Sequence, residues 1–244
     1  MARRGFTLVE LLVVIAVVAV LVGILLPVLA YAREGSRAAV CQSNLRQIAI
    51  VCRSYADDHR GVGPAIGQPY AALPNWALVV QEATGRPGSG PGDLYSANSV
   101  LVCPTIRSVL GPDMQRTYAM NGTGHAGAPA FAGSAASGTR PALPPAPPDP
   151  DNYDDAARPA FIRFDRIQDP SGTVLLVDSA PGPLVPGSPP PTRTASIIDF
   201  RNDQHIAERL GLYHGRRDMF MGSRFDLSVG AYREPPWTWR RPLP

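Results

Sequence analysis

Apolar residues fill the chain almost without interruption from residue 6 to residue 32. A run of this length exceeds the roughly 20 residues that an α-helix needs to cross a bilayer. One charged residue, Glu10, lies near its start, and placing a carboxylate in such a segment costs free energy. The run therefore predicts a transmembrane helix whose carboxylate needs a partner.

The apolar pattern narrows to one face after residue 32. Apolar residues recur at spacings of 4, 3, 4 and 3, which places them on one stripe of a helix: Cys41, Leu45, Ile48, Cys52 and Tyr55. Residues 33–60 are therefore expected to continue the first helix and to pack by this stripe, with Gly61 as the C-terminal cap. Pro27 removes one backbone hydrogen bond and should kink or loosen the first half.

Short apolar stretches between turn residues follow the long helix. They predict a helix at 76–83 and strands at 99–103, 117–120, 161–164, 173–177, 196–200 and 219–221. Residues 123–160 are rich in Gly, Ala, Pro and Ser, which is typical of a disordered loop, and the tail after Tyr232 is expected to be irregular. The chain is therefore expected to be of the α+β class, with residues 61–244 forming a head on a small antiparallel sheet.

Charge and composition add the orientation of the chain. Arg3 and Arg4 lie in a short leader, residues 1–5, and the positive-inside rule keeps that end in the cytoplasm and exports the rest. The net charge of +3 is too small to indicate nucleic-acid binding. The 27 prolines and 23 glycines are typical of a head with long loops.

The three cysteines, Cys41, Cys52 and Cys103, allow at most one intrachain disulfide. Cys41 and Cys52 lie roughly 16 Å apart on a straight helix, whereas a disulfide needs Cα atoms within about 7 Å. Any bridge therefore joins Cys103 to Cys41 or to Cys52. Three buried thiols are the alternative.

Few residues suggest catalysis or ligand binding. The four histidines match no His-Glu-x-x-His spacing, and neither a Gly-x-Ser-x-Gly elbow nor a phosphate-binding loop occurs, so neither an enzyme nor a cofactor is expected. An acidic loop offers oxygen ligands for calcium but lacks EF-hand spacing, so a solvated loop is favoured: Asp149, Asp151, Asp154 and Asp155. The aromatic and basic tail 237–241 suggests stacking on nucleic acid or sugar, but an irregular surface tail is favoured.

The N-terminus resembles the processing segment of type IV pilins and type II secretion pseudopilins. The resemblance rests on Gly5-Phe6-Thr7-Leu8-Val9-Glu10 and on Pro27, and it covers about the first sixty residues. It implies cleavage between Gly5 and Phe6 by a prepilin peptidase, methylation of the new Phe6 amine, and assembly with other pilin or pseudopilin subunits.

Further segments resemble pseudopilin-like proteins, abundant in planctomycete-type bacteria, that carry a C-terminal His-x9-Asp-Gly signature. Five stretches carry this resemblance: 41–48, 101–104, 118–122, 174–179 and 214–221. The signature departs after His214, because Ser223 and Arg224 lie where the Asp-Gly pair is expected. Any role of that pair is therefore in doubt for this chain.

Cleavage before Phe6 would create a cation four residues from Glu10. In a helical assembly Glu10 can pair with the Phe6 amine of a neighbouring subunit, and Pro27 would let the helix loosen as subunits leave the bilayer. The expected function is a structural subunit of a pseudopilus or pilus-like filament, anchored in a bacterial inner membrane with a periplasmic or surface head. A minor pilin that binds DNA or polysaccharide is the second hypothesis, and a membrane-anchored hydrolase is the third.

Overall fold

The computed structural model describes residues 8–67, 73–84, 99–123, 160–181, 191–215 and 217–244. The chain divides into two compact units, Met1–Arg37 and Ala38–Pro244. The described residues form the helices α1 (Leu8–Asp58), α2 (Trp76–Ala83), α3 (Pro104–Leu110) and α4 (Asp203–Arg209). They also form the strands β1 (Tyr118–Asn121), β2 (Val174–Asp178), β3 (Ile197–Ile198), β4 (Phe220–Arg224) and β5 (Val229–Tyr232), and the 3₁₀ helices Phe164–Arg166 and Trp237–Arg240.

Helix α1 is continuous, and Pro27 lies inside it. Its large apolar side chains between Leu8 and Tyr31 are exposed around the whole helix. From Cys41 onward one face is buried, and the predicted stripe is confirmed for four of its members: Cys41, Leu45, Ile48 and Cys52. Tyr55 is only half-buried and stacks on His59 with ring centroids 3.8 Å apart. The helix therefore exposes apolar side chains on every side in its first half, whereas its second half buries one apolar face.

Gly61 ends the helical region with a turn that only glycine accommodates. Its φ of +82° lies in the left-handed region, and its N–H donates to the Ala56 carbonyl at 2.8 Å. A Cβ on Gly61 would also lie 2.5 Å from Cγ of Asp165. Both the backbone conformation and this close approach therefore require glycine.

The five strands form one sheet in the order β3-β1-β2-β4-β5. Three neighbouring pairs are antiparallel, with Tyr118 opposite Asp178 and Leu176 opposite Ser223. The α+β class is confirmed, but the prediction of an antiparallel sheet is wrong for β3, which runs parallel to β1. In the sheet, β3 lies on the side of β1 away from β2, and it runs in the same direction as β1 and opposite to β2.

The sheet is covered by apolar side chains on both faces. Alternate residues of β1 divide between two cores, with Tyr118 and Met120 on the side of α1 and Ala119 on the opposite side. On the opposite side the ring of Trp239, only 2% exposed, meets Phe220 and Tyr232 edge-on. The prediction of an irregular tail after Tyr232 is therefore wrong for Trp237–Arg240, a 3₁₀ helix that closes the second core.

Two predicted strands do not form. Cys103 donates its N–H to Oγ1 of Thr117 at 2.7 Å instead of joining a ladder, and Pro104 directly begins helix α3. In the stretch 161–164, Arg163 donates its N–H to the Pro244 carbonyl at 2.8 Å, and Phe164 begins a 3₁₀ helix. In both cases the apolar residues are buried in the same core as the α1 stripe, so the strand-like pattern indicated burial rather than strand pairing.

Substitution on opposite faces of α1 should separate the buried stripe from the exposed face. Leu45→Ala should lower the free energy of unfolding by about 2–5 kcal/mol, because it leaves a cavity in the core. Ile50→Ala, at a position 48% exposed on the same helix, should change it by less than about 1 kcal/mol. Denaturant titration of the full chain in detergent measures both, and equal losses would contradict this packing.

Candidate functional site

The first part of α1 is built like a membrane anchor. In the part of the chain that the structure describes, α1 is the one helix long and apolar enough to cross a membrane. Its large side chains are exposed within their own unit, where a soluble protein would hide them. One N-terminal apolar helix of this kind fits a single-pass membrane anchor.

Two of the predicted assembly residues lie on this helix. Glu10 is in the first described turn of α1. Pro27 lies inside the helix and has no N–H to donate to the preceding turn. Gly5 and Phe6, the predicted processing pair, lie outside the described residues, as do Asp149, Asp151, Asp154 and Asp155.

Comparison with known protein families supports the resemblance of the N-terminal segment to pilins and pseudopilins. Residues 1–26 match the model of the prokaryotic N-terminal methylation motif. The match supports a type IV pilin-like or pseudopilin-like protein. Comparison with curated proteins and with solved structures finds no match. The motif implies that this pilin-like chain is processed by a prepilin peptidase and assembles with other pilins, and proteins of this kind are generally structural.

A second cluster of chemically distinctive residues lies inside the head. Cys41 and Cys103 form a disulfide with their Cα atoms 4.8 Å apart. Cys41 belongs to the buried stripe of α1, while Cys103 is the residue immediately before α3. The side-chain amide of Asn44 donates to the Val102 carbonyl at 3.0 Å beside this bridge. The helix is therefore linked to the head both covalently and by a buried hydrogen bond.

A buried carboxylate and an imidazole lie against this disulfide. Nε2 of His214 is 3.2 Å from Oδ2 of Asp178 and 3.5 Å from Sγ of Cys103. The side chains of Asp178 and His214 are 0% and 1% exposed. The N–H of Met221 donates to the same Oδ2 at 2.6 Å. Asp178 ends β2 and His214 precedes β4, so pairing of these two strands brings both groups together.

Burial dominates the electrostatics of this cluster. Burial raises the pKa of Asp178 above its usual value, while His214 and the Met221 N–H partly offset the rise. Burial and the nearby Asp178 also raise the pKa of Tyr118, whose hydroxyl donates to the Cys41 carbonyl at 3.4 Å. Among the described residues, Oδ1 of Asp178 and Nδ1 of His214 have no hydrogen-bond partner. Two polar atoms of this buried cluster therefore lack hydrogen-bond partners among the described residues.

The pairing of Asp178 with His214 was not predicted from sequence. One usable signal was the carboxylate that follows the all-apolar run Val174–Val177, because a charged group directly after a fully buried strand needs a partner. The Asp178 carboxylate beside His214 is a feature that the hydrolase hypothesis requires. However, His214 is almost fully buried, and His205 is also buried, its Nδ1 accepting the N–H of Asp199 at 3.2 Å. A substrate would reach neither imidazole without opening the head.

Cys52 is the free cysteine among the described residues, and burial raises its pKa to about 12. Because thiolates rather than thiols react with alkylating agents, Cys52 should resist alkylation at pH 8 in the native protein. After unfolding without reductant the chain should take up one label, and after unfolding with reductant it should take up three. Intact mass spectrometry measures the count.

The variant Cys52→Ala is the control for this assignment. It should take up no label without reductant and two labels with it, because Cys41 and Cys103 are joined. Three labels on the unfolded wild-type chain without reductant would contradict the disulfide. Rapid labelling of the native chain would contradict the burial of Cys52.

Proposed function

We propose that this chain is a structural subunit of a type II secretion pseudopilus or a type IV pilus-like filament, and that it is not an enzyme. The observation that carries the proposal is the methylation motif at residues 1–26, which is continuous with the long helix α1. Filaments of this kind need a helix that is apolar on every side, because it moves from lipid into a core of packed helices. The exposed apolar surface from Leu8 to Tyr31 has this character.

The proposal includes an orientation in a bacterial inner membrane. Arg3 and Arg4 precede the apolar run, so the N-terminus stays in the cytoplasm and the head is periplasmic or on the cell surface. The disulfide between Cys41 and Cys103 supports this orientation, because such bonds persist in oxidising compartments outside the cytoplasm.

Processing prepares the helix for assembly. A prepilin peptidase cleaves between Gly5 and Phe6 on the cytoplasmic side and methylates the new amine of Phe6. The amine carries a positive charge, which would lie four residues from Glu10 in the sequence. The cut therefore adds a cation to the segment in which Glu10 is the one acidic residue.

Glu10 sets the register between subunits in this proposal. Its carboxylate pairs with the Phe6 amine of a neighbouring subunit inside the filament. A buried ion pair adds little net stability, but removing one partner leaves an uncompensated buried charge and costs about 3–5 kcal/mol. Misaligned subunits would face the same cost, so the pair selects one alignment.

Pro27 allows the helix to change during assembly. The carbonyl one turn before Pro27 receives no N–H from it, so the helix is held together less strongly at this point. Local loosening near Pro27 would let the apolar segment adapt when the subunit moves from the bilayer into the filament.

The two other hypotheses rank lower. In the tail, Trp239 is buried, and the Arg240 guanidinium lies over the Trp237 ring and pairs with Asp203 at 2.7 Å. Both tryptophans and one of the two arginines that suggested stacking on DNA or polysaccharide therefore make contacts within the head. The hydrolase ranks third because its candidate histidines are buried.

Processing is tested by the intact mass of the protein from a membrane that contains its prepilin peptidase. The mature chain should lack residues 1–5 and carry one additional methyl group. Gly5→Val should block cleavage because it adds bulk at the scissile bond, whereas Ala2→Val, the matched control in the leader, should be processed normally. A full-length wild-type mass with active peptidase present would refute the proposal.

The role of Glu10 is tested with Glu10→Gln, which removes the charge and keeps the size. The variant should insert and be processed, but its share in sheared filaments should fall about 100-fold or more, as expected for the loss of a buried charge partner. Glu34→Gln, the same change later in α1, should assemble normally. Wild-type incorporation of Glu10→Gln, measured by quantitative immunoblotting, would contradict the pairing.

A further inference from the structure

Three groups that zinc prefers as ligands converge in the head, and a carboxylate lies beside one of them. The ligand atoms of Cys41, Cys103 and His214 all lie within 4.8 Å of one another, and the Asp178 carboxylate adjoins His214. We propose that the dithiol form of this chain binds one zinc ion through Cys41, Cys103, His214 and Asp178. The inference does not depend on the filament role.

Two distances already match a tetrahedral zinc site. With zinc–sulfur bonds of about 2.3 Å and zinc–nitrogen or zinc–oxygen bonds of about 2.0–2.1 Å, neighbouring sulfur and nitrogen ligands lie about 3.6 Å apart. Nitrogen and oxygen ligands lie about 3.3 Å apart in the same geometry. The observed distances from Nε2 of His214 are 3.5 Å to Sγ of Cys103 and 3.2 Å to Oδ2 of Asp178.

The two sulfurs are the atoms that must move. A tetrahedral site requires them to be about 3.8 Å apart, and opening the disulfide frees them to separate. Cys41 is held by α1 and Cys103 lies at the start of α3, so side-chain rotation on two fixed elements can supply this movement.

Burial favours a structural ion over a catalytic one. All four ligand residues are buried, and structural zinc sites are closed by four protein ligands. Two thiolates and the Asp178 carboxylate would be costly as unpaired buried charges, and a divalent cation balances most of their charge. Oδ1 of Asp178, which has no hydrogen-bond partner among the described residues, would then border a cation.

Reduction followed by zinc binding would exchange one link between α1 and the head, the disulfide, for another, the zinc site. A reductant of the phosphine class, together with one water, gives two electrons and two protons to the disulfide and becomes the phosphine oxide. Zinc then replaces the two thiol protons, which pass to solvent, while His214 binds as the neutral imidazole and Asp178 as the carboxylate. A small-molecule disulfide would reverse the change: it takes up two electrons from the two thiolates and two protons from solvent to become two thiols, while the protein disulfide re-forms and the zinc ion is released. In the dithiol chain the metal would thus replace the disulfide as the link between α1 and the residue before α3.

The test uses the full-length protein in detergent, reduced with a phosphine and freed of it without oxygen. Cobalt(II) should bind one per chain and give thiolate charge-transfer absorption with the intense visible bands of tetrahedral cobalt, and zinc should displace it. His214→Ala should weaken binding by more than the 10- to 100-fold typical of losing a supporting residue. Cys52→Ala, which lacks a buried thiol outside the cluster, should bind like wild type, and oxidised protein should not bind.

A second measurement tests zinc binding even if the reduced protein is partly unfolded. Zinc should raise the Tm of the reduced wild type or restore its near-ultraviolet circular dichroism, because an ion that binds the native state stabilises it. His214→Cys, which replaces one zinc ligand with another, should keep this response, whereas His214→Ala should lose it. The inference is overturned if the reduced chain shows no zinc response, or if Cys52→Ala loses as much binding as His214→Ala.

Discussion

The fold of the head depends on the burial of one face of a single helix. The stripe from Cys41 to Cys52 belongs to the same core as the sheet residues Tyr118, Met120 and Met221. This packing also fixes the position of Cys41, and so decides which cysteine meets Cys103. Helix α1 therefore has two parts with different surfaces. It exposes apolar side chains on all sides up to Tyr31, and it buries one side from Cys41 onward.

The sheet imposes the next constraint because its inner strands are buried on both faces. Helix α1 covers one face, and the other is closed by an aromatic group from distant parts of the chain: Phe200, Phe220, Tyr232 and Trp239. Edge-on contacts between such rings add stability beyond their buried area. The C-terminal residues after β5 are therefore part of the folded head, and Trp239 belongs to its second core.

Two carboxylates occupy costly positions in this chain. Asp178 is buried in the head, where His214 and the Met221 N–H are its partners. Glu10 lies in a membrane-length apolar helix, and its proposed partner is the amine of another subunit. One carboxylate thus helps to organise a single head, while the other is proposed to organise the assembly. In both cases the cost of an unpaired buried charge specifies which groups must meet.

The sequence by itself determined the features that depend on neighbours along the chain. These are the long helix with its buried stripe, helix α2, the strand β2 and the N-terminal processing motif. The predictions of strands at 99–103 and 161–164 were wrong. An apolar pattern indicates that residues are buried, but it does not show which groups their backbone will hydrogen-bond to. Only the tertiary structure decided the parallel pairing of β3, the choice of Cys41 over Cys52, and the meeting of Asp178 with His214. Each joins residues far apart in sequence, and such contacts follow from how the helix and strands pack together.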